Sequence, residues 1–190
     1  MAQQTNLAEI ILEKSSELFR EQGYVATTIK QIARAAGCTT AALYYYYEGG
    51  KSEILSEVVR SFQKVDPSLI SSKECSSLSE FIVHLTTTLA PALPQIGEQM
   101  GWLMLQFSNL PDEIQQTVQS HILDRHAILK NQIICFTDDE TEADRLAWVI
   151  FNAFIGYQQV FFKTEIGQQV DFNTEAYGQF IAQIIKNSRI

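Results

Sequence analysis

Residues 27–39 read Thr27-Thr28-Ile29-Lys30-Gln31-Ile32-Ala33-Arg34-Ala35-Ala36-Gly37-Cys38-Thr39. After Thr40-Ala41-Ala42 the chain continues Leu43-Tyr44-Tyr45-Tyr46-Tyr47, then Gly49-Gly50-Lys51-Ser52-Glu53-Ile54-Leu55. Ile29, Ile32, Ala33 and Ala36 recur at i, i+3, i+4 and i+7, which gathers apolar side chains on one helix face. Thr28 with Gln31 three residues on has the form of a capping box, so the helix starts there. Gly37 stops it after little more than two turns, because glycine readily adopts the left-handed conformation that closes a helix. Thr39 caps a second short helix to about Tyr47, with Leu43 and Tyr47 facing inward, and Gly49-Gly50 ends it. Two short helices joined by a tight glycine turn have the outline of a helix-turn-helix, an outline shared by many three-helix packings.

Helical periodicity extends outward from this stretch in both directions, with no convincing alternating strand. A first helix spans roughly Asn6 to Gln22, with Leu7, Ile11 and Leu18 on one face and Gly23 closing it. A fourth starts near Lys51, turns Ile54, Leu55, Val58 and Phe62 inward, and is broken by Asp66-Pro67. A Ser/Lys/Glu-rich loop leads to Ser77, which with Glu80 caps a helix carrying Phe81, Ile82, Leu85 and Leu89 inward until Pro91 and Pro94. Further helices are predicted at about 95–109, 112–135, 142–165 and 174–188, separated by Pro111, the acidic turn Asp138-Asp139-Glu140, and Gly167 to Asn173. The fold class is all-α with about nine helices. Residues 1–50 form the helix-turn-helix domain, helix 51–65 connects, and 66–190 form a second helical domain.

The chain has 190 residues, 46% of them hydrophobic and 19% charged, the composition of an ordinary globular protein. Its net charge of −8 is unevenly spread. Residues 1–60 carry six Lys/Arg against seven Asp/Glu, and the remaining eight Lys/Arg face fifteen acids. The first segment is thus nearly neutral, and Glu9, Glu13, Glu17 and Glu21 all fall on its first helix. The polar start Met1 to Asn6 lacks the basic stretch and apolar run of a signal peptide. The most apolar stretch, Trp148 to Phe162, is interrupted by Asn152, Gln158 and Gln159, so it reads as a buried helix and not a membrane span. Cys38, Cys75 and Cys135 are odd in number and far apart, with neither disulfide nor zinc spacing. A reducing cytoplasm fits them, with inert packing commoner than a reactive sensor thiol.

From Thr27 through Leu55 the order and spacing closely resemble the TetR family of transcriptional regulators. The resemblance is dense over about residues 8–60 and is one of architecture alone beyond. It implies double-stranded DNA as a partner, read as a palindromic operator. Thr28 then opens a helix whose first amides suit a phosphate oxygen. Tyr44 and Tyr45 match positions that touch the DNA backbone, and Lys51 matches the family's phosphate-binding lysine. At about 100° per residue four consecutive tyrosines cannot share one face, so Tyr47 is assigned to packing and Tyr46 is left divided. Thr39, Thr40 and Ala41 lie at the end of the recognition helix that reaches base edges. Here the sequence departs from the commoner pattern: Thr40 stands where a larger polar residue is frequent, Ala42 where Ser, Thr or Gly is usual. With no Arg, Asn or Gln for bidentate readout, the methyls of Thr and Ala suit thymine methyls, and phosphates supply much of the affinity.

The helix at 142–165 is apolar on two sides, one stripe running Leu146, Ile150, Ala153, Tyr157 and Val160, the other Trp148, Phe151, Ile155 and Phe162. The resemblance implies that this helix and the last one pair with their symmetry mates, making Phe151, Ile155, Phe162, Phe180 and Ile184 candidates for a homodimer interface. It also implies a small-molecule effector enclosed by the middle helices. By residue type, Phe81, His84 and Leu85 with Trp102, Gln106 and Phe107 would line a pocket for a mainly apolar compound. No cofactor or metal is implied. An enzyme is the natural rival, but the only histidines are His84, His121 and His126, and no nucleophile motif, phosphate loop or metal cluster accompanies them.

Overall fold

The computed structural model describes residues 6–62, 70–162, 164, 166, 169–170 and 173–188. Among these residues it has nine α-helices and no strand: α1 (Leu7–Gln22), α2 (Ile29–Ala35), α3 (Thr40–Tyr46), α4 (Gly50–Ser61), α5 (Leu78–Leu89), α6 (Leu93–Gln106), α7 (Asp112–Ile133), α8 (Glu140–Tyr157) and α9 (Thr174–Ser188). The chain forms two compact units. The first combines Met1–Lys64 with Trp102–Ser120, the second Val65–Gly101 with His121–Ile190. The sequence reading assigns everything after residue 65 to one domain, whereas residues 102–120 pack with the head. The Asp66-Pro67 breaker and most of the Gly167–Asn173 separator lie outside the described residues.

In the first unit α1, α2 and α3 each start on a side-chain cap. Asn6 accepts from the Ala8 amide at 3.3 Å and Thr39 from the Ala42 amide at 3.1 Å. Thr28 and Gln31 form the full capping box, with the Thr28 amide donating to Gln31 Oε1 at 2.8 Å and the Gln31 amide to Thr28 Oγ1 at 3.3 Å. Gly37 has φ +68°, and the Cys38 amide reaches back to Ala33 O at 2.9 Å, the left-handed closure expected of a glycine there. The buried face of α1 differs from the predicted one. Ile11, Ser15 and Phe19 are fully buried at i, i+4, i+8, while Leu7 and Leu18 are half-buried. Ser15 belongs on that face because its hydroxyl donates to Ile11 O at 2.6 Å, so no polar group is stranded. Around this stripe close Ile32, Leu43, Ile54, Leu55 and Val58, all essentially inaccessible.

Trp102 completes this core. Its indole stacks on Phe19 with centroids 6.4 Å apart, meets Phe62 edge-on at 6.2 Å, and donates from Nε1 to Phe19 O at 2.7 Å. The same carbonyl accepts from the Gly23 amide at 3.1 Å. Beyond it Leu110, Ile114 and Val118 are buried as well.

The second unit is built on α5, α7, α8 and α9. Phe81, Ile82 and Leu85 bury themselves as predicted, against Leu129 and Ile133, against Ala143, Ala147 and Ile150, and against Ala182 and Ile185. A Cβ on Gly178 would collide with Thr86 Oγ1, so the glycine lets α9 approach α5 closely. Two boundaries differ from the sequence reading. Pro94 sits in the first turn of α6, where its ring displaces no intrahelical donor, so the break before that helix is at Pro91. The eighth helix ends at Tyr157 and continues as a π-helical turn, Gln158–Phe162, instead of running to 165. This wider turn shifts the register, which is why Val160 is exposed despite its place in the Ile150–Tyr157 stripe. Asp139, in the acidic turn, caps α8 through the Thr141 amide at 2.8 Å.

Trp102→Phe keeps a ring in the head core but removes the donor to Phe19 O. The substitution is expected to destabilise the chain by about 1–3 kcal/mol, read by urea denaturation.

Candidate nucleic-acid interface

The recognition helix α3 is divided cleanly between anchoring and display. Leu43 is wholly buried and Tyr47 nearly so, its hydroxyl donating to Ala8 O at 3.0 Å. Between and before these anchors, Thr39, Thr40, Ala41, Tyr44, Tyr45 and Tyr46 are all exposed, Tyr45 at 81%. The arrangement follows from helix geometry: Leu43 and Tyr47 are one turn apart, and the residues flanking them must point elsewhere. Tyr45 and Tyr46 lean edge-on against each other at 5.3 Å, and Tyr44 covers Gly50. The exposed groups of α3 are hydroxyls, methyls and aromatic edges, with no carboxylate among them. Such a face can donate hydrogen bonds to phosphate and press methyls against bases.

Thr28 is exposed, but its hydroxyl donates to Gln31 Oε1 at 2.8 Å, so the capping box already occupies it. Lys51 is half-buried. Its ammonium donates to Tyr24 O at 2.9 Å and Thr27 O at 2.8 Å and lies 4.3 Å from the centroid of the Tyr24 ring. Burial holds its pKa below the ordinary lysine value. An ammonium has three N–H groups, so two fasten the α1–α2 connection to the start of α4 and one is left for an incoming anion. Lys30 and Arg34, which the sequence reading passes over, are exposed one turn apart on α2. Their i, i+4 spacing was the available signal.

The candidate pocket residues do not come together. Leu85 lines a cavity of about 100 Å³ in the second unit, with Leu89 of α5, Leu93 and Ile96 of α6, and Phe151 and Ile155 of α8. Arg125 and Gln158 supply its polar groups. Phe81 is buried in the core beside this cavity and stacks on Phe136 at 5.8 Å. His84 is exposed on the opposite side of α5, facing an open groove with Gln183 and Lys186 of α9. Trp102, Gln106 and Phe107 belong to the first unit, where Gln106 lies against Gly23. Arg125 and Gln158 were missed because isolated polar residues in apolar helices carry no periodic signal.

Of the residues assigned to a dimer face, Phe151 and Ile155 turn inward to the cavity, whereas Phe180 and Ile184 are exposed one turn apart on α9. The side chain of Phe162 lies outside the described part. The exposed apolar residues of α8 and its π-turn are instead Val149 and Val160, with Gly156 exposed between them. Burial raises the pKa of the Cys38 and Cys75 thiols, which disfavours the reactive thiolate. Among the described residues no group of metal-ligating side chains occurs, and no helix is long and apolar enough to cross a membrane.

Residues 11–58 match the model for bacterial regulatory proteins of the tetR family. IcaR of Staphylococcus aureus, an HTH-type negative transcriptional regulator of the biofilm operon icaADBC, is 28% identical over 129 residues, 68% of either chain. Among solved structures, a transcriptional regulator from Rhodococcus sp. Rha1 superposes with a TM-score of 0.73 at 13% identity, covering 95% of this chain and 96% of that one. PfmR, a TetR family transcriptional regulator from Thermus thermophilus, gives 0.68 at 19% identity, covering 92% of both. At these identities the structural likeness concerns the fold.

Adjacent tyrosines should separate binding from stability. Tyr45→Ala is expected to weaken DNA binding in fluorescence anisotropy with an unchanged melting temperature, because the side chain is solvated. Tyr47→Phe should cost about 0.5–1.5 kcal/mol of stability by removing the bond to Ala8 O. Lys51→Met should do both, lowering affinity for all sequences alike and loosening the head.

Proposed function

The chain belongs to the TetR family of DNA-binding transcriptional regulators, and from that premise we propose that it is a repressor released from a palindromic operator by a small, largely apolar effector. It is a DNA-binding protein and not an enzyme. The observation that carries the reading is the exposed face of α3: Thr40, Ala41, Tyr44 and Tyr45 displayed together while Leu43 and Tyr47 hold the helix from behind. In this reading Thr39, Thr40 and Ala41 meet base edges. Tyr44, Tyr45, the first turn of α2 at Thr28, and the remaining N–H of Lys51 meet phosphates, with Lys30 and Arg34 adding positive charge. The proposed partner is double-stranded DNA, met in the cytoplasm. The negative sign is supported by IcaR, itself a negative regulator.

A single short recognition helix reads few bases, so two copies are needed to read two half-sites. The proposed homodimer pairs α8 and α9 with their symmetry mates through Val149, Gly156 and Val160 and through Phe180 and Ile184. Val149 and Phe180 are each 55% exposed, too much for large apolar groups in a fully packed interior.

Release follows from linkage. If an effector in the cavity lowers operator affinity, the operator lowers effector affinity by the same factor, about 5–150-fold for ordinary allosteric coupling. A compound that binds tightly but equally to free and operator-bound protein does nothing.

Selection from random duplex DNA should enrich an inverted repeat, with binding that weakens steeply as salt rises. Enrichment of an unrepeated site, or of none, would sink the palindromic reading. The double variant Phe180→Asp, Ile184→Asp should sediment near the chain mass of 21.5 kDa and lose operator binding. Sedimentation of the unaltered protein at that mass alone, at micromolar concentration, would exclude the dimer.

A further inference from the structure

The cavity of the second unit has aliphatic and phenyl walls with two polar side chains set into them, Arg125 from α7 and Gln158 from the π-turn after α8. Gln158 is 2% exposed, and among the described residues neither Oε1 nor Nε2 has a hydrogen-bond partner. A primary amide left in that state costs stability, and native proteins rarely keep one unless it has something to bind. Its position is constrained from behind: Gln158 packs on Gly97 so closely that a Cβ there would lie 2.7 Å from Oε1. The neighbouring Gln159 is held differently, its Nε2 donating to Gly97 O at 2.9 Å, so the turn satisfies one glutamine and strands the other. Arg125 is half-buried and lines the same cavity, with one guanidinium nitrogen 3.5 Å from Met100 Sδ.

Resting on the effector-release reading above, we propose that the cavity takes a small aliphatic carboxylic acid, its carboxylate received by Arg125 and by the Nε2 amide hydrogens of Gln158. The guanidinium selects an anion over a neutral group, because a charge-assisted bond in an apolar enclosure is worth more than a neutral one. Gln158 Oε1 needs a donor that a carboxylate lacks, so a hydroxyl on the carbon next to the carboxylate completes the set. Size follows from volume. A cavity of about 150 Å³ holds the six carbons of benzene, so one of about 100 Å³ takes an alkyl tail of about four carbons, with the carboxyl group at the wall formed by Arg125 and Gln158.

The test is titration calorimetry of the full chain with four matched probes: pentanoate, 2-hydroxypentanoate, pentanamide and 1-pentanol. The acids are expected to bind at least about tenfold more tightly than the amide and the alcohol, with 2-hydroxypentanoate the tightest. Gln158→Leu should raise the melting temperature of the free protein while abolishing the preference for the hydroxy acid, and Arg125→Met should erase the preference for acids. Equal binding of the neutral probes, binding of none of the four, or a lowered melting temperature in Gln158→Leu would each overturn the proposal. The effector-release reading is judged separately by filling the cavity from its wall with Leu85→Phe. Operator affinity changed in that variant supports coupling between cavity and DNA whichever probe binds, and operator affinity unchanged in a folded variant counts against release itself.

Discussion

A helix of seven residues cannot hold itself together in water. Nucleation costs more than so few hydrogen bonds return, and both α2 and α3 are of that length. The head exists because each deficit is met from outside. Thr28 and Thr39 supply the caps, Ile32 and Leu43 are drawn into the core, and Lys51 ties down the carbonyls of Tyr24 and Thr27. The double glycine before Lys51 and the glycine between the two helices give turns tight enough to bring these groups within reach. The exposed face of α3 is the part of the head left over when these demands have been satisfied.

Local punctuation made this half legible from sequence. A capping box, a left-handed glycine and an apolar i, i+3, i+4 run all act within a few residues, so their reading survives folding nearly unchanged. The same holds for α5, whose inner face is read correctly from spacing. Where the reading fails, the cause is a partner distant in sequence or a side chain that folds back on its own helix. Ser15 looks polar and belongs in the core because its hydroxyl bonds one turn back. Leu18 looks apolar and is only half-buried because Phe19 next to it takes the inward place. Trp102 has the residue type of a ligand pocket, yet its indole is held by a carbonyl 83 residues earlier. No pattern within one helix announces such a contact.

The π-turn after Tyr157 illustrates the same limit for the candidate sites. Periodicity extrapolates a constant angle of about 100° per residue, and a single wider turn changes which side of the helix every later residue occupies. Val160 falls in the inner stripe by spacing and is exposed for that reason. Phe151 and Ile155, which the resemblance puts on a partner face, turn to the cavity. Tyr157 is stacked between Phe161 at 4.6 Å and Tyr177 at 4.3 Å, a packing that accompanies the altered winding. Aromatic stacking across two helices is a tertiary fact that no spacing within one helix announces.

The separation of anchors from displayed residues on α3 has a bearing on how such a protein can diverge. Leu43 and Tyr47 carry the packing, so replacing Thr40, Ala41 or Tyr45 touches almost nothing that holds the head together, and solvent-facing changes of that kind usually alter stability by no more than about 0.5 kcal/mol. Duplicated copies can therefore accumulate new binding preferences through single substitutions without passing through an unfolded intermediate genotype. The residues displayed to solvent and the residues that build the fold occupy different faces of one short helix, and selection can act on one set while the other stays fixed.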